Sequence, residues 1–201
     1  MADYTFPNIS PTSSSLAWLD NSVTFFSPLS GTTRTESRPG GRWRLTLTFN
    51  NQKNLTGASD PLHELEAYLF KLNGAENRAV IADPAYIRSS SGGVSVKVKG
   101  AGQTGKSLIT DSWPVSSTVL YAGDRIGISG QMIPVTADVT TNGAGEATLT
   151  LAHPIRNAPD DNAVLELDAP TARYILTNKV SPSTVPGQFK SIMVEFEEAI
   201  S

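Results

Sequence analysis

The chain of 201 residues has no cysteine and only two histidines, and these two scarcities exclude much chemistry. Without a thiol there is no cysteine nucleophile, no disulfide framework, and no zinc site or iron–sulfur cluster held by sulfur. His63 and His153 stand alone, outside any pattern that places two histidines on one helix face, so a catalytic triad or a histidine metal site has little support. The composition therefore favours a protein that is not an enzyme and holds no cofactor.

Long apolar runs and an excess of positive charge are also missing. No stretch approaches the roughly 18 consecutive apolar residues of a membrane helix, and the N-terminus lacks the basic-then-apolar order of an export signal. The formal net charge of −3 argues against a dedicated nucleic-acid binder, because such domains are usually strongly basic. We therefore expect a protein that does not insert into a membrane and does not bind DNA specifically.

What the sequence does contain is 16 glycines, 13 prolines and short runs in which apolar and polar residues alternate. This combination is typical of β-strands joined by turns. The clearest run lies at residues 42–49, where Trp43, Leu45, Leu47 and Phe49 fall on one face. Similar alternation recurs at Val94 to Val98, Ile126 to Ile128, Ile133 to Val139, Ala147 to Leu151, Leu165 to Leu167 and Ile192 to Phe196. The pattern predicts a mainly β fold.

A single helix is predicted from Pro61 to Leu72. Asp60 is a suitable N-cap, proline suits the first helical position, and Gly74 follows the last turn. The buried stripe of this helix would consist of Leu62, Leu65, Leu69 and Leu72.

Turn-forming segments divide the chain. Asn142-Gly143 is typical of a tight hairpin turn, and we expect a hairpin over residues 132–151. Residues 89–93 and 181–187 are rich in Ser, Gly and Pro and mark joints. If the last strand pairs with the early sheet, the residues between the joints form a module inserted into one domain.

Residues 100–107, Gly-Ala-Gly-Gln-Thr-Gly-Lys-Ser, match the phosphate-binding loop pattern, in which backbone amides and Lys106 would bind phosphates and Ser107 a magnesium ion. Such a loop follows a buried strand and opens a helix. Here the preceding run alternates, and Pro114 leaves too little chain for a helix. We therefore interpret the motif as a glycine-rich turn between strands. A nucleotide-binding enzyme remains an alternative function, ranked below the two described at the end of this section.

Two groups of side chains are candidates for binding. The first is an arginine cluster with glutamates that could receive it, within one subunit or between neighbours: Arg34, Arg38, Arg42, Arg44, Glu195 and Glu197. The second is Trp113 with Tyr121, which would form a platform for sugars unless packing uses them. Asp160-Asp161 and the group of Glu195, Glu197 and Glu198 are possible paired carboxylates or calcium ligands. We prefer a turn for the two aspartates, and surface charge on a strand for Glu195 and Glu197.

Six stretches occur in an informative order: Gly-Gly-Arg-Trp-Arg-Leu-Thr-Leu-Thr-Phe at 40–49, Ala-Tyr-Leu-Phe-Lys-Leu-Asn-Gly at 67–74, Val-Lys-Val-Lys-Gly-Ala-Gly-Gln-Thr-Gly at 96–105, Ala-Gly-Asp-Arg-Ile-Gly-Ile at 122–128, His-Pro-Ile-Arg at 153–156 and the closing strand at 192–196. This order resembles the distal tail proteins of siphophages, which are long-tailed bacteriophages. The resemblance begins at residue 40, and the role of the residues before it stays open.

The resemblance implies a β-sandwich or split-barrel belt domain with one α-helix at residues 1–92 and 175–201, and an inserted small OB-like β-barrel at residues 93–174. Belt domains of this family form a homo-hexameric ring that joins the tail tube protein to the tail-tip or baseplate hub proteins and leaves a channel for DNA. The implied location is the tail tip of the virion, after assembly in the host cytoplasm. A carbohydrate-binding β-module for attachment to the host surface, using Trp113 and Tyr121, is the alternative.

Overall fold

The computed structural model describes residues 1–38, 40–53, 61–88, 94–185 and 189–200. Strands account for 47% of the chain and helix for 6%, which confirms the predicted mainly β fold. In chain order the elements are β1 (Asp3–Thr5), β2 (Ser13–Leu19), β3 (Val23–Phe26), β4 (Thr33–Glu36), β5 (Arg42–Lys53), α1 (Pro61–Leu72), β6 (Arg78–Ala82), β7 (Lys97–Val98), β8 (Gly105–Asp111), β9 (Thr118–Leu120), β10 (Arg125–Ile128), β11 (Gln131–Pro134), β12 (Val139–Thr140), β13 (Ala147–Ile155), β14 (Thr171–Leu176), β15 (Ser183–Val185) and β16 (Phe189–Glu198).

The chain folds as two compact units. Unit 1 consists of residues 1–79 and 174–200, and unit 2 of residues 80–173. Unit 1 is therefore built from both ends of the chain, and unit 2 from its middle. The borders lie within β6 and β14, through which the chain leaves unit 1 and returns to it. The sequence analysis placed these borders at residues 92 and 175.

One sheet of seven strands forms the framework of unit 1. Its order is β1-β6-β14-β16-β5-β2, and β15 also pairs with β16. β16 runs antiparallel to β5, and β2 pairs with the other edge of β5. Alternate residues of β5 and β16 are buried, among them Leu45, Leu47, Ile192 and Val194. The predicted alternation is confirmed, and the pairing of the last strand with the early sheet is present.

Helix α1 has the predicted bounds, Pro61–Leu72, whereas Asp60 lies outside the described residues. Its buried side chains are Leu62, Leu65, Tyr68 and Leu72. Leu69 is only partly buried, so its predicted place in the stripe was wrong. Tyr68 takes that place because its hydroxyl donates a hydrogen bond to the carbonyl of Tyr4 (2.9 Å) and its ring packs against Phe6.

Phe6, close to the N-terminus, packs against the core of unit 1. The ring of Phe6 lies 6.5 Å from that of Phe49 and 6.3 Å from that of Phe196. Nearby, Arg78 Nε lies 2.6 Å from Asp3 Oδ1. These contacts hold β1 beside β6 at the edge of the sheet.

Unit 2 has short strands in three small sheets, β10-β11, β12-β9 and β13-β8-β7, which surround one apolar core. Isolated bridges connect further strand positions: Lys97 with Val164, Gly127 with Glu166, and Val135 with Leu151. The described residues of unit 2 therefore do not form the expected small β-barrel as one closed sheet. Irregular registers in β12 and β13 interrupt the ladder, and residues 163–167 contribute single bridges instead of a strand.

The hairpin predicted around Asn142-Gly143 has a different geometry. β12 pairs with β9 and not with β13. The turn extends from Asn142 to Glu146, and Asn142 Oδ1 accepts hydrogen bonds from the amides of Ala144 and Glu146, each at 2.9 Å. The positive φ belongs to Gly145, at 72°. The prediction of a tight turn at Asn142-Gly143 was wrong because the asparagine side chain stabilises a longer loop.

Candidate functional site

Glu197 on β16 is the centre of the arginine cluster indicated by the sequence. Its Oε2 lies 3.0 Å from Nε of Arg42, and its Oε1 lies 2.6 Å from Nη2 of Arg44. The register places Glu197 opposite Arg44, so their side chains share one face of the sheet. Both arginines are nearly half exposed, whereas the glutamate is mostly buried. For these three residues, pairing within one subunit is the alternative found.

The other members of the predicted cluster lie elsewhere. Arg34 is on β4, Arg38 follows that strand, and both are exposed. Glu195 is partly buried on β16, opposite Thr46. None of these three side chains forms an ion pair with another residue in the described part of the chain. Of the six predicted residues, three are joined by ion pairs and three form no ion pair within the described chain.

Glu198 positions the start of β5 and with it the two paired arginines. The sequence offered Glu198 only as part of a group of possible calcium ligands. In the structure Glu198 is buried, and its Oε2 accepts a hydrogen bond from the amide of Trp43 (3.1 Å). The ring of Trp43 packs edge-on against Trp18 at 5.0 Å. Gly41 lies so close to Trp18 that an added Cβ would meet the indole at 2.5 Å. In the sequence, the Gly40-Gly41 pair before the strand was the one sign of this close packing.

The aromatic platform predicted from Trp113 and Tyr121 is not formed. Trp113 is 5% exposed and belongs to the core of unit 2, where its indole N–H donates to Thr110 Oγ1 at 2.8 Å. Tyr121 is 44% exposed. A sugar stacks on a ring face that is open to solvent. The ring of Trp113 is buried, so Tyr121 cannot form a sugar-binding platform together with it. The geometry does not favour the carbohydrate-binding alternative.

The phosphate-loop motif occupies the turn between β7 and β8. Gly100 and Gly102 have positive φ values of 92° and 73°. The amide of Gly100 donates to Asp161 Oδ1 at 2.8 Å, and the amide of Gly102 donates to the carbonyl of Pro159 at 3.0 Å. Both amides are therefore already hydrogen-bonded within the chain. Lys106 lies on strand β8 instead of a helix, as the interpretation of a glycine-rich turn requires.

The same contacts give Asp161 a structural role in place of calcium binding. Its Oδ2 also accepts a hydrogen bond from the side chain of Asn162 at 2.8 Å. His63 is exposed at the start of α1, whereas His153 is buried, and burial lowers the pKa of His153. Among the residues that the structure describes, no three histidine, aspartate or glutamate side chains are grouped as metal ligands.

A cluster around Arg125 in unit 2 escaped the sequence analysis. Its Nη1 lies 2.5 Å from Asp83 Oδ2, and its guanidinium lies 5.1 Å from the ring centre of Tyr86. The amide of Arg125 donates to the Tyr86 hydroxyl at 2.9 Å, and burial raises the pKa of that hydroxyl. Arg88 in turn lies 3.1 Å from Asp168. These contacts attach residues 83–88 to unit 2, although the sequence analysis assigned them to the first domain.

The fold and these contacts define a mainly β protein of two units whose candidate site is a set of surface charges. No model of a known protein family matches the chain, and no curated protein matches its sequence at a significant level. Within the described residues, no helix has both the length and the apolar character needed to cross a membrane.

Proposed function

We propose that this chain is a non-enzymatic structural subunit of the tail tip or baseplate of a long-tailed bacteriophage, similar to the distal tail proteins. The observation that carries the proposal is the pairing of β16 with β5. Through it, both ends of the chain build one unit that contains the single described helix. Residues 80–173 are then an inserted β-rich unit, and this order of parts is the one the resemblance implies.

The absence of a catalytic role is supported by what the suggestive residues do. Asp161 accepts a hydrogen bond from the amide of Gly100 in the phosphate-loop motif, and Trp113 fills the core of unit 2. Glu197 forms ion pairs with two arginines. In these three cases, side chains that suggested chemistry in the sequence make contacts within the fold.

The proposed mechanism is geometric. Copies related by rotation repeat one heterologous contact until about six of them close a ring. The ring joins the tail tube protein to the hub proteins of the tail tip and leaves a channel for DNA. A net charge of −3 suits such a channel, because basic linings retain phosphate. The protein would assemble in the host cytoplasm and remain in the virion.

Native mass spectrometry and negative-stain imaging of the purified full chain test this proposal. We expect an oligomer whose population rises with concentration, and ring-shaped particles with a central opening. A monomer at every concentration, together with no binding to tail tube or hub proteins, would overturn the proposal.

Nucleotide binding separates the structural proposal from the enzyme alternative. We expect no micromolar binding of ATP with magnesium, because the loop amide is already bound by Asp161. Isothermal titration calorimetry of the wild type and of Lys106→Ala measures it. Micromolar binding that Lys106→Ala abolishes would favour the enzyme.

A further inference from the structure

The hairpin formed by β3 and β4 is largely exposed. In the described part of the chain its strands pair with each other and with no further strand. Phe25 and Phe26 are 52% and 66% exposed, and Leu29 in the connecting loop is fully exposed. An isolated two-stranded hairpin is only marginally stable in water, and large apolar side chains on it favour burial. The hairpin therefore has the properties of an arm that another surface covers.

The register of the hairpin separates its two faces. Phe25 lies opposite Arg34, and Val23 lies opposite Glu36, so these four side chains share one face. We call it the charged face of the hairpin. The other face carries Phe26 and threonines. An arginine beside an exposed phenylalanine suits a partner surface that offers an acidic and an apolar side chain at short spacing.

Such a surface exists on the seven-stranded sheet of unit 1. Met193 lies opposite Thr48, and Glu195 lies opposite Thr46. Val194, which lies between them on β16, faces the core. Met193 and Glu195 therefore lie on the opposite face of the sheet, which we call the outer face. Met193 is 49% exposed. On β2, Ser13 and Ser15 continue the same two rows: both are small and exposed.

Charge and spacing match the two surfaces. Arg34 and Glu195 each form no ion pair with another described side chain, whereas Arg42 and Arg44 already share Glu197. Residues two apart on a strand are separated by about 7 Å. Directly opposite residues such as those of the hairpin are about 5 Å apart. The spacing of Phe25 and Arg34 on the hairpin is therefore close enough to that of Met193 and Glu195 on the sheet for the two pairs of side chains to come into contact.

We propose that the charged face of the hairpin binds the outer face of the sheet in a second copy of this chain, with Arg34 against Glu195 and Phe25 against Met193. The inference rests on the proposed ring and identifies its contact surface. Each copy donates a hairpin and receives one, so the contact is heterologous and repeats around a ring. It also gives the residues before position 40 a role in assembly.

A charge exchange on the full chain tests the pairing by sedimentation velocity. We expect Arg34→Glu and Glu195→Arg each to weaken self-association about tenfold or more, and the two together to restore it. Lys106→Glu, an exposed charge reversal in unit 2, is the matched control and should leave assembly unchanged. Circular dichroism checks that every variant is folded.

The outcomes distinguish this inference from the proposed function. If the wild type assembles and both single variants assemble equally well, or if the double variant fails to restore assembly, the hairpin contact is wrong and the ring stands. If the wild type is a monomer throughout, the proposed function fails first. Single variants that dissociate and a double variant that reassembles support the contact.

The absence of cysteine allows a second, independent test by disulfide cross-linking. A disulfide requires Cβ atoms about 3.5–4.5 Å apart, so only residues in contact are joined. Under mild oxidation we expect Phe25→Cys with Met193→Cys to give a ladder of trimers and larger species in a denaturing gel. Each single cysteine variant gives dimers at most, and Phe25→Cys with Lys106→Cys is the control for chance collision. No ladder from the first pair, while native mass spectrometry shows that variant assembled, would contradict the contact.

Discussion

Unit 1 and unit 2 are both mainly β, but they satisfy their backbones differently. In unit 1, strands of 12 and 10 residues, β5 and β16, pair over most of their length in one sheet. Unit 2 has three small sheets whose strands are mostly shorter and whose register is interrupted. Five of the six buried polar or charged side chains in the described chain lie in unit 2: Thr110, Asp124, Gln131, Thr141 and His153.

Several of these buried side chains form hydrogen bonds with backbone groups, as a neighbouring strand would do in a longer sheet. The amide of Gln131 donates to the carbonyl of Asn157 at 2.8 Å, and its oxygen accepts from the amide of Arg156 at 3.0 Å. Thr141 Oγ1 donates to the carbonyl of Pro114 at 2.6 Å. Because a buried backbone group must find a partner, side chains supply it where strands end early. Unit 1 thus depends mainly on pairing between long strands, and unit 2 more on individual side-chain hydrogen bonds.

The largest expected effects come from opening a cavity in one core at a time. Leu45→Ala in unit 1 and Leu149→Ala in unit 2 each remove a fully buried side chain. Each should lower the free energy of unfolding by about 2–5 kcal/mol. Differential scanning calorimetry should show the loss in the transition of one unit only. If both variants shift every transition equally, the two cores unfold as one, and the contrast drawn between the units loses its energetic meaning.

Gly145→Ala tests the dependence of unit 2 on a local turn. Gly145 has a φ of 72°, and an added Cβ would lie 2.5 Å from the carbonyl oxygen of Trp113. We expect a loss of about 1–3 kcal/mol from the free energy of unfolding. Gly143→Ala is the matched control in the same turn, because nothing lies within 4 Å of its added Cβ. Equal urea midpoints for the two variants would show that the turn geometry is wrong.

A smaller effect is expected from the buried His153 of unit 2. Burial lowers its pKa below the ordinary 6.5, so the unfolded chain binds a proton more readily than the folded one. The stability of the neutral form is fully present above that ordinary value and is lost as the pH falls through the lowered folded pKa. Thermal unfolding at about pH 7.5 and about pH 5 should show a steeper acid loss for wild type than for His153→Gln. The control is His63→Gln at the exposed histidine, and identical pH profiles for wild type and His153→Gln would contradict the expectation.

The contrast between the units also explains how far the sequence was predictive. Alternation of apolar and polar residues encodes a long strand with one face exposed to solvent, so the strands at residues 42–49 and 192–196 were predicted correctly. The capping residues likewise predicted the helix at Pro61–Leu72. In unit 2 the decisive bonds join residues distant in sequence, such as Asp83 with Arg125. No local pattern in the sequence encodes this ion pair. The pair attaches residues 83–88 to unit 2, although they were predicted to belong to the first domain.

The candidate site was predictable in composition and not in pairing. An excess of arginine near residue 40 and glutamates near the C-terminus indicated charge complementarity. Which partners meet depends on the register of β16 against β5, and a shift by one residue would move Glu197 to the core face. Likewise, the sequence favoured packing over a sugar platform for Trp113 but could not decide between them, because both uses favour a large ring.

The smallest expected effect concerns the ion pairs of unit 1. Glu197→Gln removes a charge shared by Arg42 and Arg44, both nearly half exposed, so solvent screens the attraction. We expect a loss of about 1 kcal/mol or less from the free energy of unfolding at low salt, and a smaller loss in about 1 M salt, where screening is stronger. Glu195→Gln, on the same strand but without an ion pair in the described chain, should show no such salt dependence. A salt-independent loss of several kcal/mol for Glu197→Gln would mean that unit 1, like unit 2, depends on individual side-chain bonds.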